Sequence, residues 1–180
     1  MPSITPIILA VLPEAVRIIG DSMTKKSRDK GARGEREAAA LLRKALPDGW
    51  TVERFGTGES GHDLRILSPE GERPPFAIEV KRYADFEVGE VLRGPSARFL
   101  AWWTQARTQA GDIGREPILL TRGDRRPWWL WSPRQYGPAG CVVELLIPLT
   151  DEISECVIGV PLDSAIDDLV FELVEGSRND

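Results

Sequence analysis

The sequence predicts an α/β fold: one mixed β-sheet flanked by helices. The first observation behind this is segment order. From residue 34 to residue 132 the chain reads α-β-β-β-α-β-β, a pattern of helices interspersed with strands. The second is periodicity. Apolar residues alternate over short runs such as 50–55, but recur at helical spacing over 95–110. The third is bulk. With 180 residues, 42% hydrophobic and 28% charged, the chain supplies one domain with a core that needs no disulfide staples.

Each element has its own justification. Residues 1–22 form an N-terminal extension in which Pro2, Pro6 and Pro13 interrupt a short apolar stretch. It is either untranslated, since Met23 can start the chain, or disordered, or a short helix over Pro13–Ile19 packed on the body. Gly34–Leu46 reads as a helix: Glu35, Arg36 and Glu37 open it, where acidic residues suit the dipole, and Pro47 stops it. Trp50–Phe55 is a strand, Gly56–Gly61 a flexible loop, and Asp63–Leu67 a second strand with Leu64 and Ile66 on one side. A turn rich in proline, glycine and charge leads to a third strand, Phe76–Lys81. Phe99, Trp102, Trp103, Ala106 and Ala110 mark a second helix over Pro95–Ala110, closed by Gly111 and Gly114. Strands follow at Pro117–Thr121 and Pro127–Ser132, then at Val142–Leu146 and Val157–Val160, with a short helix at Asp163–Val170. The expected organisation is a core over 23–134 and an acidic C-terminal extension over 135–180.

Composition excludes several classes. Cys141 and Cys156 are too few for a disulfide scaffold or a four-cysteine zinc site, and read as reduced core thiols. His62, the one histidine, excludes a histidine-rich metal site. The apolar run Ile7–Leu12 is too short to span a bilayer, so the expected location is the cytoplasm with no membrane partner. The net charge of −5 conceals a dipole. Thr24–Lys44 carries eight basic and three acidic residues, whereas Glu144–Asp180 carries one basic and ten acidic. A local field, not the mean charge, steers a polyanion, so Lys25, Lys26, Arg28, Lys30, Arg33 and Arg36 are candidate nucleic-acid contacts.

Four residues carry the candidate chemistry. Glu79 and Lys81, two apart on one strand, leave the same face, while Ile78 and Val80 point the other way. If the strands at 63–67 and 76–81 pair as a hairpin, Asp63 approaches Glu79. Two such carboxylates repel unless a cation lies between them, and magnesium, which prefers hard oxygen ligands, is the natural choice. That arrangement suits phosphodiester hydrolysis. Lys81 would orient the water or offset charge growing on phosphorus. Glu35 would add a third oxygen ligand or hold one of the ion's waters, and Gln105 would hydrogen-bond the water or the phosphate. The same residues also admit a plainer reading, with Glu79–Lys81 a surface pair on an edge strand and Asp63 a turn residue.

The segments Lys30-Gly31-Ala32-Arg33-Gly34-Glu35-Arg36-Glu37, Gly61-His62-Asp63-Leu64 and Ile78-Glu79-Val80-Lys81 resemble the archaeal-type Holliday junction resolvases, members of the PD-(D/E)xK, restriction-endonuclease-like nucleases. Short phage and prophage relatives are similar as well, including over Trp102-Trp103-Thr104-Gln105-Ala106. The similarity covers residues 25 to 132. It implies a restriction-endonuclease-like fold and a catalytic set of Glu35, Asp63, Glu79 and Lys81. It implies Mg2+, for which Mn2+ substitutes, held by Asp63, Glu79 and Glu35. Arg36 would contact DNA phosphate, the loop with Ser60 would close over the strand near the metal, and Arg82 joins the DNA-binding set. The implied substrate is branched DNA, above all a four-way junction, cut to a 5′-phosphate and a 3′-hydroxyl by a homodimer. Flaps, single strands, damaged duplex and binding without turnover remain alternatives. His62 stands where the family name has proline, and the acidic extension has no counterpart in the family pattern.

Other residues admit two readings. His62 is a base or ligand beside Asp63, or a loop residue or DNA contact. Trp102 and Trp103, adjacent on a helix, are expected to place one ring in the core and one at an interface. Trp128, Trp129 and Trp131 straddle both faces of one strand, so a partner or the C-terminal extension must cover one of them. Arg122, Arg125, Arg126 and Arg134 form a second basic group, either phosphate contacts or a solvated turn.

Overall fold

A computed structural model describes residues 25–55, 62–71, 74–138, 142–148 and 154–176. Residues 1–22, Ser60 with its loop and Cys141 lie outside the described residues. Helix α1 (Lys25–Ala45) precedes β1 (Thr51–Arg54), β2 (Leu64–Leu67) and β3 (Phe76–Arg82). The short α2 (Val88–Leu92) and α3 (Ala97–Asp112) cross over to β4 (Glu116–Arg122). Then come β5 (Trp128–Ser132), β6 (Val143–Pro148), β7 (Ser154–Pro161) and α4 (Leu162–Gly176).

The strands form one mixed sheet in the order β1-β2-β3-β4-β5-β7-β6. All neighbours are antiparallel except β3 and β4, which run parallel because helices connect them. β3 is therefore a central strand, and its first five residues are buried. This removes the edge-strand reading of Glu79–Lys81. Beyond β5 the same sheet continues through β7 and β6.

Alternation along the strands sorts the core into two layers. Ile78, Val80, Ile118, Leu120, Trp128 and Leu130 face α1 and α4, packing on Ala38, Leu42, Ala165 and Leu169. Leu119 and Trp131 face α3, packing on Phe99, Trp103 and Ala106. Trp128 and Trp131 thus bury on opposite faces of β5, and residues from the C-terminal segment meet both: Leu162, Leu169 and Leu173 on one side, Leu145 and Val157 on the other.

Three local expectations are corrected. Helix α1 begins at Lys25 and not at Gly34, so Glu35 and Glu37 lie mid-helix and no acidic residue occupies its first turn. Gly34 is tolerated inside it because a Cβ there would stand 2.8 Å from Cβ of Arg82: the helix needs a glycine to lie this close to β3. Trp102 and Trp103 are both buried, at 7% and 1% exposure. The segment after β3 curls over α3 and puts Tyr83 and Phe86 against Trp102, with ring centroids 4.8 and 5.6 Å away. Cys156 is a free, exposed thiol on β7, not a core one, because its side of the sheet is left uncovered there.

Candidate active site

The β2–β3 pairing that the hairpin argument required is present, with Leu64 opposite Ile78 and the Asp63 N–H donating to Ile78 O at 2.9 Å. One residue back from that pair, Asp63 lies across from Glu79 on the face away from α1. The Val80 N–H donates to Asp63 Oδ2 at 2.8 Å, which pins the carboxylate to β3. Glu79 is 2% exposed. Lys81 Nζ donates to Glu79 Oε1 at 2.5 Å, so the ammonium is held beside the acidic pair.

Burial sets the electrostatics. It raises the Asp63 carboxyl to about 7, with the negative charge of Glu79 adding to the rise. Glu79 is raised too, chiefly by burial, while Lys81 pulls the other way. One ammonium does not compensate two buried carboxylates. Oε2 of Glu79 is buried, and no N–H or O–H group donates to it while Asp63 is ionised. The pair is built to take a proton or a cation.

Glu35 projects from α1 and accepts from Arg54 Nε and Nη2 of β1 at 3.0 and 2.6 Å. Its charge reaches Asp63 and Glu79, each of which it raises slightly. Among the described residues, however, no group of three or more His, Cys, Asp or Glu side chains converges tightly enough to hold an ion. The structure brings Asp63, Glu79 and Lys81 together and holds Glu35 at their margin on Arg54. Two carboxylates still fit a magnesium-sized ion, which keeps several waters and takes further ligands from substrate phosphate. Asp63, Glu79 and the unmatched Oε2 are the atoms that would hold it.

The remaining candidates are dispersed around this centre. Gln105 is exposed on α3, the helix that covers the Glu79 face, and makes no hydrogen bond to the acidic pair among the described residues. Lys25, Lys26, Arg28 and Lys30 lie on the first turns of α1. Arg33 and Arg36 are exposed on the same helix. Arg82 is only 12% exposed and is held between Glu37 and Asp124, at 3.4 and 2.9 Å. His62 is buried with its ring edge-on to Phe55, 4.8 Å between centroids.

One residue was missed from the sequence. Glu37 gathers three arginines: Arg33 at 2.9 Å, Arg122 at 3.1 Å and Arg82 at 3.4 Å. It ties the helix carrying Glu35 to the ends of β3 and β4. The Arg33–Glu37 pair is visible as an i,i+4 spacing, whereas the pair with Arg122 spans 85 residues and leaves no local signal.

A family model described as "Phage putative PDDEXK endonuclease" matches residues 26–136. The chain belongs to this family. The expected nuclease class and restriction-endonuclease-like fold therefore stand, and PD-(D/E)xK nucleases typically use divalent metal ions. Protein D14 of Escherichia phage T5 is 30% identical over 112 residues, covering 59% of this chain and 70% of that relative. Among solved structures, the Holliday junction resolvase Hjc of Archaeoglobus fulgidus aligns with 78% of this chain and 99% of its own, at 17% identity and a TM-score of 0.40. Asp63 stands just before β2, and Glu79 and Lys81 lie on β3, in the order D…ExK. No helix among the described residues is long and apolar enough to cross a membrane.

Proposed function

We propose that this endonuclease is a magnesium-dependent, structure-selective enzyme that cuts branched DNA, above all four-way junctions, and works as a cytoplasmic homodimer. The observation carrying the metal-dependent reading is the buried pair Asp63 and Glu79 with its unmatched oxygen beside one ammonium. The junction as substrate rests on the resemblance of the Lys30–Glu37, Gly61–Leu64 and Ile78–Lys81 segments to archaeal-type resolvases. A two-fold dimer suits a substrate with two strands to cut symmetrically.

Asp63 and Glu79 would hold the ion, with Glu35 assisting at the margin. Once bound, the ion polarises the phosphoryl oxygen and makes water easier to deprotonate near neutral pH; Mn2+ is expected to substitute. The protein does the positioning. Val80 N–H fixes Asp63, and the Glu79 carboxylate holds the Lys81 ammonium where it faces charge growing on the phosphoryl oxygens. Water adds to phosphorus, the bond to O3′ breaks, and the products are a 5′-phosphate and a 3′-hydroxyl. Lys25, Lys26, Arg28, Lys30, Arg33, Arg36, Ser60 and Arg82 are the proposed DNA contacts, and Gln105 the proposed partner of water or phosphate.

The test is cleavage of a synthetic four-way junction beside flap, single-stranded and duplex substrates, with and without Mg2+. Junction cutting that needs the ion and is lost in Glu79→Ala, while DNA binding persists, supports the proposal. Preference for a flap or a single strand replaces the substrate and keeps the chemistry. Binding without cleavage of any substrate, at any metal concentration, would leave a DNA-binding protein with no turnover.

A further inference from the structure

The β4–β5 hairpin carries a second basic group that the catalytic centre does not use. Arg122 ends β4, and a tight turn closes where the Arg126 N–H donates to Gly123 O at 3.2 Å. Arg125 occupies the third position of that turn with φ +60°, the one left-handed non-glycine residue among the described residues. Such a position favours glycine or asparagine, and an arginine there is held against its backbone preference.

The turn is braced on the chain leaving β3. Tyr83 N–H donates to Arg122 O at 3.0 Å, and Asp124 N–H to Ala84 O at 3.4 Å. Arg82 pairs with Asp124 at 2.9 Å, and Arg126 pairs with Glu87. Gly123 lies so close to this segment that a Cβ would stand 2.1 Å from Phe86 O. The neighbouring arginines already have partners within the protein: Arg82 pairs with Glu37 and Asp124, Arg122 with Glu37 and Arg126 O, Arg126 with Glu87. Arg125 is exposed and makes no ion pair among the described residues. A rigid turn thus presents one uncommitted cation.

Its location gives that cation a use. Lys81 pairs in register with Thr121, and Arg82 with Arg122, so the turn rises from the same end of the sheet as the catalytic lysine. Arg125 lies three residues past Arg122, so it stands no more than ~10 Å from it even at the ~3.4 Å per residue of an extended chain.

We propose that Arg125 is a DNA-backbone contact, a fixed prong that binds a phosphate displaced along the strand from the one being cut. This rests on the DNA-cleaving function proposed above. Arg125 is exposed at the tip of a turn whose backbone is tied by hydrogen bonds to the chain leaving β3.

The conformation supplies an unusual test. Arg125→Gly suits the backbone better than the native residue yet deletes the charge, so stability and binding should move in opposite directions. Binding of a fluorescein-labelled four-way junction, with a short duplex beside it, is titrated over a range of salt, without divalent ions so that nothing is cut. Melting temperature is measured on the same protein. The expected result is a Tm equal to or above that of wild type, several-fold weaker binding, and a salt slope reduced by about 0.9, the share of one phosphate. Arg125→Lys should keep the slope. Equal binding and slope in wild type and Arg125→Gly overturns the proposal, as does a Lys variant as weak as the Gly one. Wild-type protein that binds no DNA would instead defeat the reading of the protein as a DNA-cutting enzyme.

Discussion

Burying two carboxyls beside one ammonium leaves Asp63 short of compensating charge, and this has a measurable sign. Its carboxyl, ordinarily near 3.8, stands at about 7 in the folded protein because burial and Glu79 both disfavour the anion. Between these values the folded state holds a proton that the unfolded chain has released. By linkage, the contribution of this residue to stability is full below about pH 4 and falls as pH rises towards 7. The expected loss is on the order of 2–4 kcal/mol for metal-free protein. Asp63→Asn keeps an oxygen for the Val80 N–H and cannot ionise, so the variant should gain Tm relative to wild type across that window. Mg2+ should reverse the order, stabilising wild type at pH 7 and leaving the variant unmoved. Melting curves at several pH values, with and without the ion, check both halves. A Tm difference between the two proteins that is constant from pH 4 to 7 would sink the account.

At the scale of elements, the site is an agreement between neighbouring strands and one helix. Strands β2 and β3 were legible, because alternation fixed which side each residue faces and a cross-strand pair then followed for Asp63 and Glu79. The margins of the site were not. Glu35 was read at the opening of a helix, but α1 starts nine residues earlier than Gly34, as the docking of Gly34 on Arg82 overrides the usual cost of a mid-helix glycine. The Glu37 cluster escaped because its partners belong to three separate elements. The bracing of the β4–β5 turn was equally hidden, and it yields a prediction of its own. Gly123→Ala would drive a Cβ into the Phe86 carbonyl, a backbone atom that cannot swing aside. The expected cost is about 2 kcal/mol or more, read as a lower midpoint in urea unfolding. Because the turn lies at the end of the sheet where Lys81 stands, cleavage should fall with it. An unchanged midpoint would mean that the turn is not packed as described.

Across the whole molecule, the tryptophans of β5 decide what the acidic C-terminal segment is for. Residues 128–131 put large side chains on both faces of one strand, so the sequence demanded a cover and left two candidates, a second copy or the segment that follows. In the fold the segment itself supplies cover: β7 pairs with β5, Leu162, Leu169 and Leu173 of α4 join the layer holding Trp128 and Leu130, and Leu145 and Val157 join that of Trp131. Polar ties close the seam, with Tyr136 Oη donating to Glu116 at 3.3 Å and Gly137 N–H donating to Asp168 at 2.7 Å. A protein ending at Arg134 would expose Trp128, Leu130 and Trp131 together. Each fully buried side chain of this size is worth about 2–3 kcal/mol, against a total of roughly 5–15 kcal/mol for a domain. Truncation should therefore abolish cooperative unfolding, although every catalytic candidate lies before the cut. Circular dichroism melts of the full chain and of residues 23–134 test this directly. A truncated protein that melts cooperatively near the full-length Tm and still cuts DNA would make the segment an appendage; loss of the transition would make the nuclease core and its acidic tail one folding unit.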